Sequence, residues 1–154
     1  MTAIIKPHGG VLCNLVVSEN EIEKLKKDSL NYKSITLNDR QLCDLEMLLN
    51  GSFSPLKGFL NRKNYEGVLN KLRLENGTVW PMPINLDVAK EFSSDLKFGD
   101  KIALRDHEGV ALAILTISDI WAPDKAEEAQ KVFGTTDEKH PAIDYLINQA
   151  GDIY

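Results

Sequence analysis

The spacing of apolar residues changes its period twice along this chain of 154 residues. From about residue 18 to residue 72, apolar side chains recur every three or four positions, which is the spacing of helices with one buried face. Between residues 78 and 120, short apolar runs separated by proline, glycine and a polar turn indicate strands. Helical spacing returns after Pro123. Helices, then short strands, then helices predict an α+β fold with a mainly antiparallel sheet, not an alternating βαβ fold.

Capping residues mark the ends of the predicted helices. Ser18 with Glu21 three positions later has the pattern of a capping box, which predicts a first helix running to about Leu30. The other helices are bounded by similar signals. They are a second from the Asn38/Gln41 cap to Asn50-Gly51, a third from about Asn61 that ends before Asn76-Gly77, a fourth from Pro123-Asp124 through Ala129 to Phe133 and Gly134, and a last from Pro141 through Leu146 to Gln149, with Gly151 as its cap.

Four of five apolar segments are predicted to be strands, and the first of the five is predicted to be a strand or a buried extended piece. They are Val11 to Val17, which follows a Gly9-Gly10 turn, Thr78 to Trp80, Ile84 to Val88, Lys101 to Arg105, and Val110 to Ile120. Together they predict a compact sheet or barrel. No repeat, low-complexity tract or flexible linker divides the chain, so we expect one domain spanning residues 1–154.

The charge balance limits the classes of partner. Eighteen lysines and arginines oppose 23 aspartates and glutamates, which gives a net charge of −5 at pH 7. This acidity disfavours broad electrostatic binding to nucleic acid or to anionic membranes, and favours small molecules or proteins. No apolar stretch approaches the roughly 18 residues that a membrane span needs. The amino end lacks the apolar segment of a signal peptide, so a cytoplasmic location is expected.

Motifs that carry catalysis are missing from the sequence. It contains neither a GxGxxG nor a GxxxxGK[ST] phosphate loop. Cys13 and Cys43 lack CxxC spacing and are expected to be buried, reduced thiols. His8, His107 and His140 are scattered without HxxH or HxxxH spacing, so no metal site is predicted. Two acidic pairs are expected to be a solvated helix face and a solvated turn, namely Glu127 with Glu128 and Asp137 with Glu138.

One segment, from Phe53 to Arg73, is locally basic and contains aromatic residues. Its cations have two interpretations: they could guide an anion, or they could keep a helix soluble. Aromatic residues between cations are also typical of surfaces that stack RNA bases, although the net acidity of the chain disfavours nucleic acid. The cations are Lys57, Arg62, Lys63, Lys71 and Arg73, and the aromatic residues are Phe53, Phe59 and Tyr65.

Six blocks of sequence, in fixed order, cover essentially the whole chain. They are Pro7-His8-Gly9-Gly10; Leu42 to Phe59, which reads LCDLEMLLNGSFSPLKGF; Arg73-Leu74 with Trp80 to Ile84; Ala103 to Asp106 with Glu108-Gly109; Trp121 to Lys125; and Val132 to Thr135 with His140-Pro141. In order and spacing, these blocks resemble the amino-terminal domain of ATP sulfurylase (sulfate adenylyltransferase), which also occurs in bifunctional synthases of phosphoadenylyl sulfate.

The resemblance implies a fold and an activity. The fold would be a PUA-like pseudo-barrel placed ahead of a nucleotidyl-transferase domain. The family's reaction joins sulfate to ATP, which is used with magnesium, and forms adenylyl sulfate and pyrophosphate. The family's catalytic pattern, Q-x-R-N-P-x-H-x-x-H, has no match here. We therefore expect this piece to hold no catalytic, cofactor-binding or metal-binding residue and to be inactive alone.

The expected partner is the catalytic domain of the same parent chain, and a homo-oligomer is left open. We expect one loop to contact that domain, because it is apolar, shaped by proline and glycine, and next to the basic segment. The loop consists of Phe53, Ser54, Pro55, Leu56, Lys57, Gly58 and Phe59. The alternative, from a different class, is a free-standing PUA-like module that binds RNA or a protein.

Overall fold

The computed structural model describes residues 5–154, which form two compact units. The first unit contains residues 5–59 and Gly99–Ile117, and the second contains Leu60–Phe98 and Ser118–Tyr154. Each unit is therefore assembled from two separate stretches of chain. Within the described residues, no helix is both long enough and apolar enough to cross a membrane.

The first unit combines two helices with a three-stranded sheet. The strand order is β1-β2-β3, with β1 parallel to β2 and β3 antiparallel to β2. The α+β prediction is confirmed, but the mainly antiparallel pseudo-barrel is not, because one of the two described strand pairings is parallel. The elements are α1 (Glu19–Ser29), β1 (Lys33–Thr36), α2 (Asp39–Leu49), β2 (Lys101–Arg105) and β3 (Ala111–Thr116).

The two capping boxes predicted from the sequence begin the two helices of this unit, which confirms both. Glu21 Oε2 accepts hydrogen bonds from the Ser18 hydroxyl at 2.6 Å and from the Ser18 backbone N–H at 3.2 Å. Both bonds lower the pKa of Glu21, and the bond from the hydroxyl has the larger effect. Gln41 N–H donates to Asn38 Oδ1 at 2.9 Å, and Asn38 N–H donates to Gln41 Oε1 at 3.1 Å.

The second unit is mainly helical. Asp124 accepts a hydrogen bond from the backbone N–H of Glu127 and so caps α5, and His140 Nδ1 accepts one from Ala142 N–H and caps α6. Gly134 ends α5 in the left-handed conformation, at φ 74°. The helices are α3 (Arg62–Lys71), α4 (Lys90–Ser93), α5 (Lys125–Phe133) and α6 (Pro141–Asp144), and α6 continues into a π-helical turn over Tyr145–Gln149.

Three of the predicted strands are wrong. Val11 to Val17 is mostly exposed and forms no strand, and the segments around Val79 and Val88 form only single antiparallel bridges, to Arg73 and to Ile153. The sheet instead includes β1, which the sequence analysis did not identify. For Ile84 to Val88 the reason is burial, since Ile84, Asn85, Leu86 and Asp87 are all buried. An apolar run of residues indicates that a segment is buried, but it does not indicate that the segment pairs with another strand.

Each unit has a hydrophobic core of its own. In the first unit, Leu37, Leu48 and Leu104 are almost completely buried at the junction of helix and sheet. In the second unit, Val68 of α3 and Ile143 of α6 are equally inaccessible. Burial of a side chain of this size contributes about 1.5–3 kcal/mol, so these residues hold each unit together.

Gly151 is not a helix cap, contrary to the prediction. The last helical turn ends at Ala150, whose N–H donates to the carbonyl of Tyr145 at 2.8 Å. Gly151 is required by close packing instead, because a Cβ atom there would lie 2.4 Å from the carbonyl carbon and oxygen of Val88. Its N–H donates to the carboxylate of Asp87 at 2.7 Å. The absence of a side chain lets two segments of backbone approach each other.

Candidate functional site

The loop from Phe53 to Phe59 follows α2 and is anchored by the hydroxyl of Ser54. Ser54 is 3% exposed, and its Oγ accepts a hydrogen bond from Cys13 N–H at 2.9 Å. The same hydroxyl donates to the carbonyl of Gly51 at 2.5 Å. A buried hydroxyl that both accepts and donates has its bonding satisfied, so Ser54 ties the loop to the segment around Cys13.

Two glycines allow that segment to lie close to the loop. Gly51 has φ 84°, and a Cβ atom there would lie 2.9 Å from Leu12 Cδ1. Gly9 has φ 74°, and a Cβ atom there would lie 2.8 Å from the ring of Pro55. The Ser54-Pro55 peptide bond is cis. Both glycines have a left-handed backbone and a close neighbour, so any side chain at either position would be strained.

Apart from Leu56, the other side chains of the anchored loop are partly or fully accessible. Leu56 is 5% exposed and packs inside the first unit, whereas Lys57 is exposed, and Phe53 and Phe59 are half-buried. The backbone N–H of Phe53 donates to Met47 O at 3.0 Å, and this bond attaches the loop to the last turn of α2. The predicted loop is therefore ordered, with aromatic edges and one cation accessible.

The end of this loop forms one wall of a groove within the first unit. The groove has a volume of about 650 Å³. Its lining includes Lys57 to Phe59 of the loop, Ile22 and Leu25 of α1, and all six residues of β3. A volume of this size lies within the range of ligand-binding clefts.

Two of the five cations of the basic segment are paired with carboxylates. Arg62 Nε donates to Glu66 Oε1 at 2.8 Å, and Lys63 forms an ion pair with Glu75. The Arg73 guanidinium donates to the carbonyl of Gly77 at 3.0 Å. Because two of the five predicted cations are paired and a third caps a turn, this structure favours the helix-solubilising interpretation over an anion guide.

A buried cluster that the sequence analysis missed lies in the second unit. Glu128, which was expected on a solvated helix face, is 8% exposed and accepts hydrogen bonds at Oε2 from the hydroxyls of Tyr65 (2.9 Å) and Tyr154 (3.0 Å). Burial first, and then the Glu128 carboxylate, raise the pKa of both tyrosines, so both hydroxyls remain donors. The rings of Tyr65 and Tyr154 also pack against Trp121 at centroid distances of 5.5 and 5.8 Å.

A sequence signal for this cluster exists, but it is ambiguous. Glu128 lies one position before buried Ala129, on the face of α5 that packs inward, whereas Glu127 forms an ion pair with Lys131. Adjacent glutamates on a helix point in directions about 100° apart, so only one of the two can be solvated when the other faces the core.

The other candidate residues do not converge on a site. His107 Nε2 lies 2.9 Å from Asp39 Oδ1 on the surface of the first unit, and the ring of His140 packs on Phe133 at 5.3 Å. Cys13 and Cys43 are unpaired thiols, but Cys43 is exposed and Cys13 only partly buried, so their predicted burial is wrong. Across residues 5–154, no three His, Cys, Asp or Glu side chains are grouped as a metal ion would need.

Comparison with known proteins assigns the family. A family model described as a PUA-like domain matches residues 5–154. The chain belongs to the PUA-like domain family. It is also 47% identical to a sulfate adenylyltransferase from Eremothecium gossypii, over 98% of its own length and 30% of that protein. It is 50% identical to a sulfate adenylyltransferase from Kluyveromyces lactis, over 96% of its own length and 30% of that protein.

These relatives confirm the resemblance to sulfate adenylyltransferase and the PUA-like domain expected from it. This PUA-like chain spans only about 30% of the length of the curated relatives that it matches first. Among solved structures it is similar to a protein described as a hexameric APS kinase from Thiobacillus denitrificans. That similarity has a TM-score of 0.72 and 41% identity, and covers 79% of this chain and 24% of that one.

Proposed function

We propose that this PUA-like chain is the amino-terminal, non-catalytic part of a sulfate adenylyltransferase, the enzyme that forms adenylyl sulfate and pyrophosphate from ATP and sulfate. The observation that carries the proposal is 47–50% identity to enzymes of that name over 96–98% of this chain. The share of those enzymes that it covers leaves room for a catalytic domain elsewhere in the parent.

The chemistry of the described residues supports this division of labour. Transfer between ATP and sulfate needs concentrated positive charge and oriented donors on phosphate oxygens. Here the basic segment is paired with Glu66 and Glu75, and the buried carboxylate of Glu128 is engaged by tyrosines. ATP, with magnesium, and sulfate would therefore bind to the catalytic domain of the parent.

The role that we propose for the Phe53–Phe59 loop is to pack against that catalytic domain and to stiffen one wall near its active site. Ser54, Gly51 and Gly9 hold the loop in one conformation, and the half-buried rings of Phe53 and Phe59 lie at its accessible edge. Rigid aromatic side chains on a preorganised loop bind a partner at low entropic cost.

The experiment is a Phe53→Ala, Phe59→Ala double variant of the full-length protein, assayed for pyrophosphate release from ATP and sulfate. We expect turnover to fall by about tenfold, the effect of removing an aromatic anchor from an interface. The matched control is Phe98→Ala, because Phe98 is 82% exposed and lies outside the loop. Unchanged turnover and domain stability in the double variant would show that the loop has no such role.

A second measurement separates the enzyme from the binding module. The full-length protein should release pyrophosphate, and the 154-residue chain should not. RNA affinity that decreases steeply with salt, in a protein without that activity, would favour the free-standing module instead.

A further inference from the structure

The groove beside the Phe53–Phe59 loop runs along the open edge of the sheet. β3 is an edge strand, and within residues 5–154 its backbone is hydrogen-bonded on one side only, to β2. Every residue of β3, from Ala111 to Thr116, lines the groove. An edge strand offers a row of backbone donors and acceptors that another extended segment can pair with.

Apolar side chains surround this open edge. Leu112 of β3 is 41% exposed, and Val16 and Val17 are exposed on the segment that precedes α1. All three line the groove, together with the buried residues Leu45 and Leu48 of α2. Exposed aliphatic side chains gathered along a strand that lacks a neighbour indicate a surface that is covered in the assembled protein.

The charges at the rim limit the chemistry of the occupant. Lys57 and Lys101 line the groove, and neither forms an ion pair with any residue between Ile5 and Tyr154. The third lysine of the lining, Lys26, is paired with Glu23. The one carboxylate of the lining, Glu21, accepts hydrogen bonds from Ser18 and forms no ion pair with Lys57 or Lys101. Three lysines against one glutamate leave the lining net positive, which favours an occupant with negative charge.

We propose that the groove receives an extended, apolar and acidic segment of the parent enzyme, which adds to the sheet beside β3 as a fourth strand. Backbone hydrogen bonds to β3 would supply binding energy, and the aliphatic lining and the two lysines would select the side chains. The six residues of β3 offer about 20 Å of edge at roughly 3.4 Å per residue. The inference rests on the proposed function, since the segment comes from the part of the parent outside residues 1–154.

The test is backbone hydrogen exchange, followed by mass spectrometry, in the full-length protein and in the 154-residue chain. We expect the amides of Ala111–Thr116 to exchange at least about tenfold more slowly in the full-length protein, because a paired edge strand opens less often. The α3 amides, in the other unit, report whether the fold is intact and should exchange equally in both. Equal exchange of β3 in the two proteins would overturn the inference.

Charge and shape variants of the full-length protein test the occupant. Lys57→Glu with Lys101→Glu should bring β3 exchange to within about twofold of the isolated chain, and so should Leu112→Glu. The controls are Lys27→Glu on α1 and Val110→Glu before β3, which are outside the groove lining and should retain protection. If the glutamate variants lose α3 protection as well, Lys57→Gln with Lys101→Gln replaces them. Protection that survives the loss of both positive charges would show that the occupant is not acidic.

The assay of pyrophosphate release separates this inference from the proposed function. An active full-length protein with an unprotected β3 would overturn the docking and leave the function standing. A protected β3 in a protein without activity would support the docking and refute the function. If the gene encodes a protein of only 154 residues, both the docking and the proposed function are wrong.

Discussion

Removal of a tyrosine hydroxyl from Glu128 tests whether the buried cluster of the second unit is held by hydrogen bonds. Tyr65→Phe and Tyr154→Phe each remove one donor, at 2.9 and 3.0 Å from Oε2, and leave the ring packing in place. A hydrogen bond to a charged group contributes about 1.5–3 kcal/mol, and a buried acceptor that loses its partner keeps its desolvation cost. We expect each variant to lower the free energy of unfolding by that amount.

Urea unfolding followed by tryptophan fluorescence is a direct assay, because both tryptophans, Trp80 and Trp121, belong to the second unit. The matched control is Tyr32→Phe in the first unit, for which we expect a change within about 0.5 kcal/mol, as for ordinary surface substitutions. The double variant should lose more than the sum of the single losses, because it leaves the buried carboxylate without either hydroxyl. A change below about 0.5 kcal/mol in both single variants would refute the reasoning.

The same cluster predicts the alkaline limit of stability. The pKa of both tyrosines is raised from the ordinary value of 10.0 by burial first and then by Glu128. The folded state therefore keeps protons that the unfolded chain loses above pH 10. This stability is fully present below pH 10 and decreases as pH rises, by about 1.4 kcal/mol per pH unit for each tyrosine. The free energy of unfolding, measured by urea denaturation from pH 9 to 11.5, should show this slope. Each phenylalanine variant should reduce the slope by about 1.4 kcal/mol per pH unit, the contribution of one tyrosine. A slope unchanged in the variants would contradict the assignment.

Two further substitutions test contacts between residues that are distant in the sequence, the first a hydrogen bond and the second a close approach of two backbone segments. Ser54→Ala should cost about 1–3 kcal/mol in urea unfolding, because it leaves the partly buried N–H of Cys13 without its acceptor, whereas Ser52→Ala, at an exposed position, should be neutral. The Gly51 carbonyl keeps the backbone N–H of Ser54 as its donor. Gly151→Ala should lower the thermal midpoint by at least about 4 °C, because its Cβ would overlap the Val88 backbone, which cannot rotate away. A midpoint equal to that of the unsubstituted protein would show that the two segments can separate at no cost.

The helices of this protein are specified by local sequence. The capping boxes at Ser18 and Asn38 place α1 and α2 correctly, and Gly134 ends α5 as its position predicts. Each of these signals acts between residues no more than four positions apart, and such contacts are the same in an isolated peptide and in the folded protein. The loop after α2 could be predicted for the same reason, since proline and glycine exclude a continued helix.

The strands could be predicted only in part. β2 and β3 were predicted because they flank the polar turn at Asp106 to Gly109, which makes their pairing local. β1 pairs with β2 across more than 60 residues, and no local pattern records that contact. The buried extended segment at Ile84 to Asp87 has the composition of a strand and no ladder, because its neighbours are supplied by distant parts of the chain.

The sequence alone determined the starts of α1 and α2, the end of α5, the ordered loop and, through blocks of residues in fixed order, the resemblance to sulfate adenylyltransferase. Only the tertiary structure decided that Glu128 is buried between two tyrosines, that Gly151 admits the backbone of Val88, and that β3 is left as an open edge. The physical reason is the range of the contacts. Turns and caps are formed by neighbours in sequence, whereas a buried carboxylate, a close backbone approach and a sheet edge depend on residues that meet only when the chain has folded.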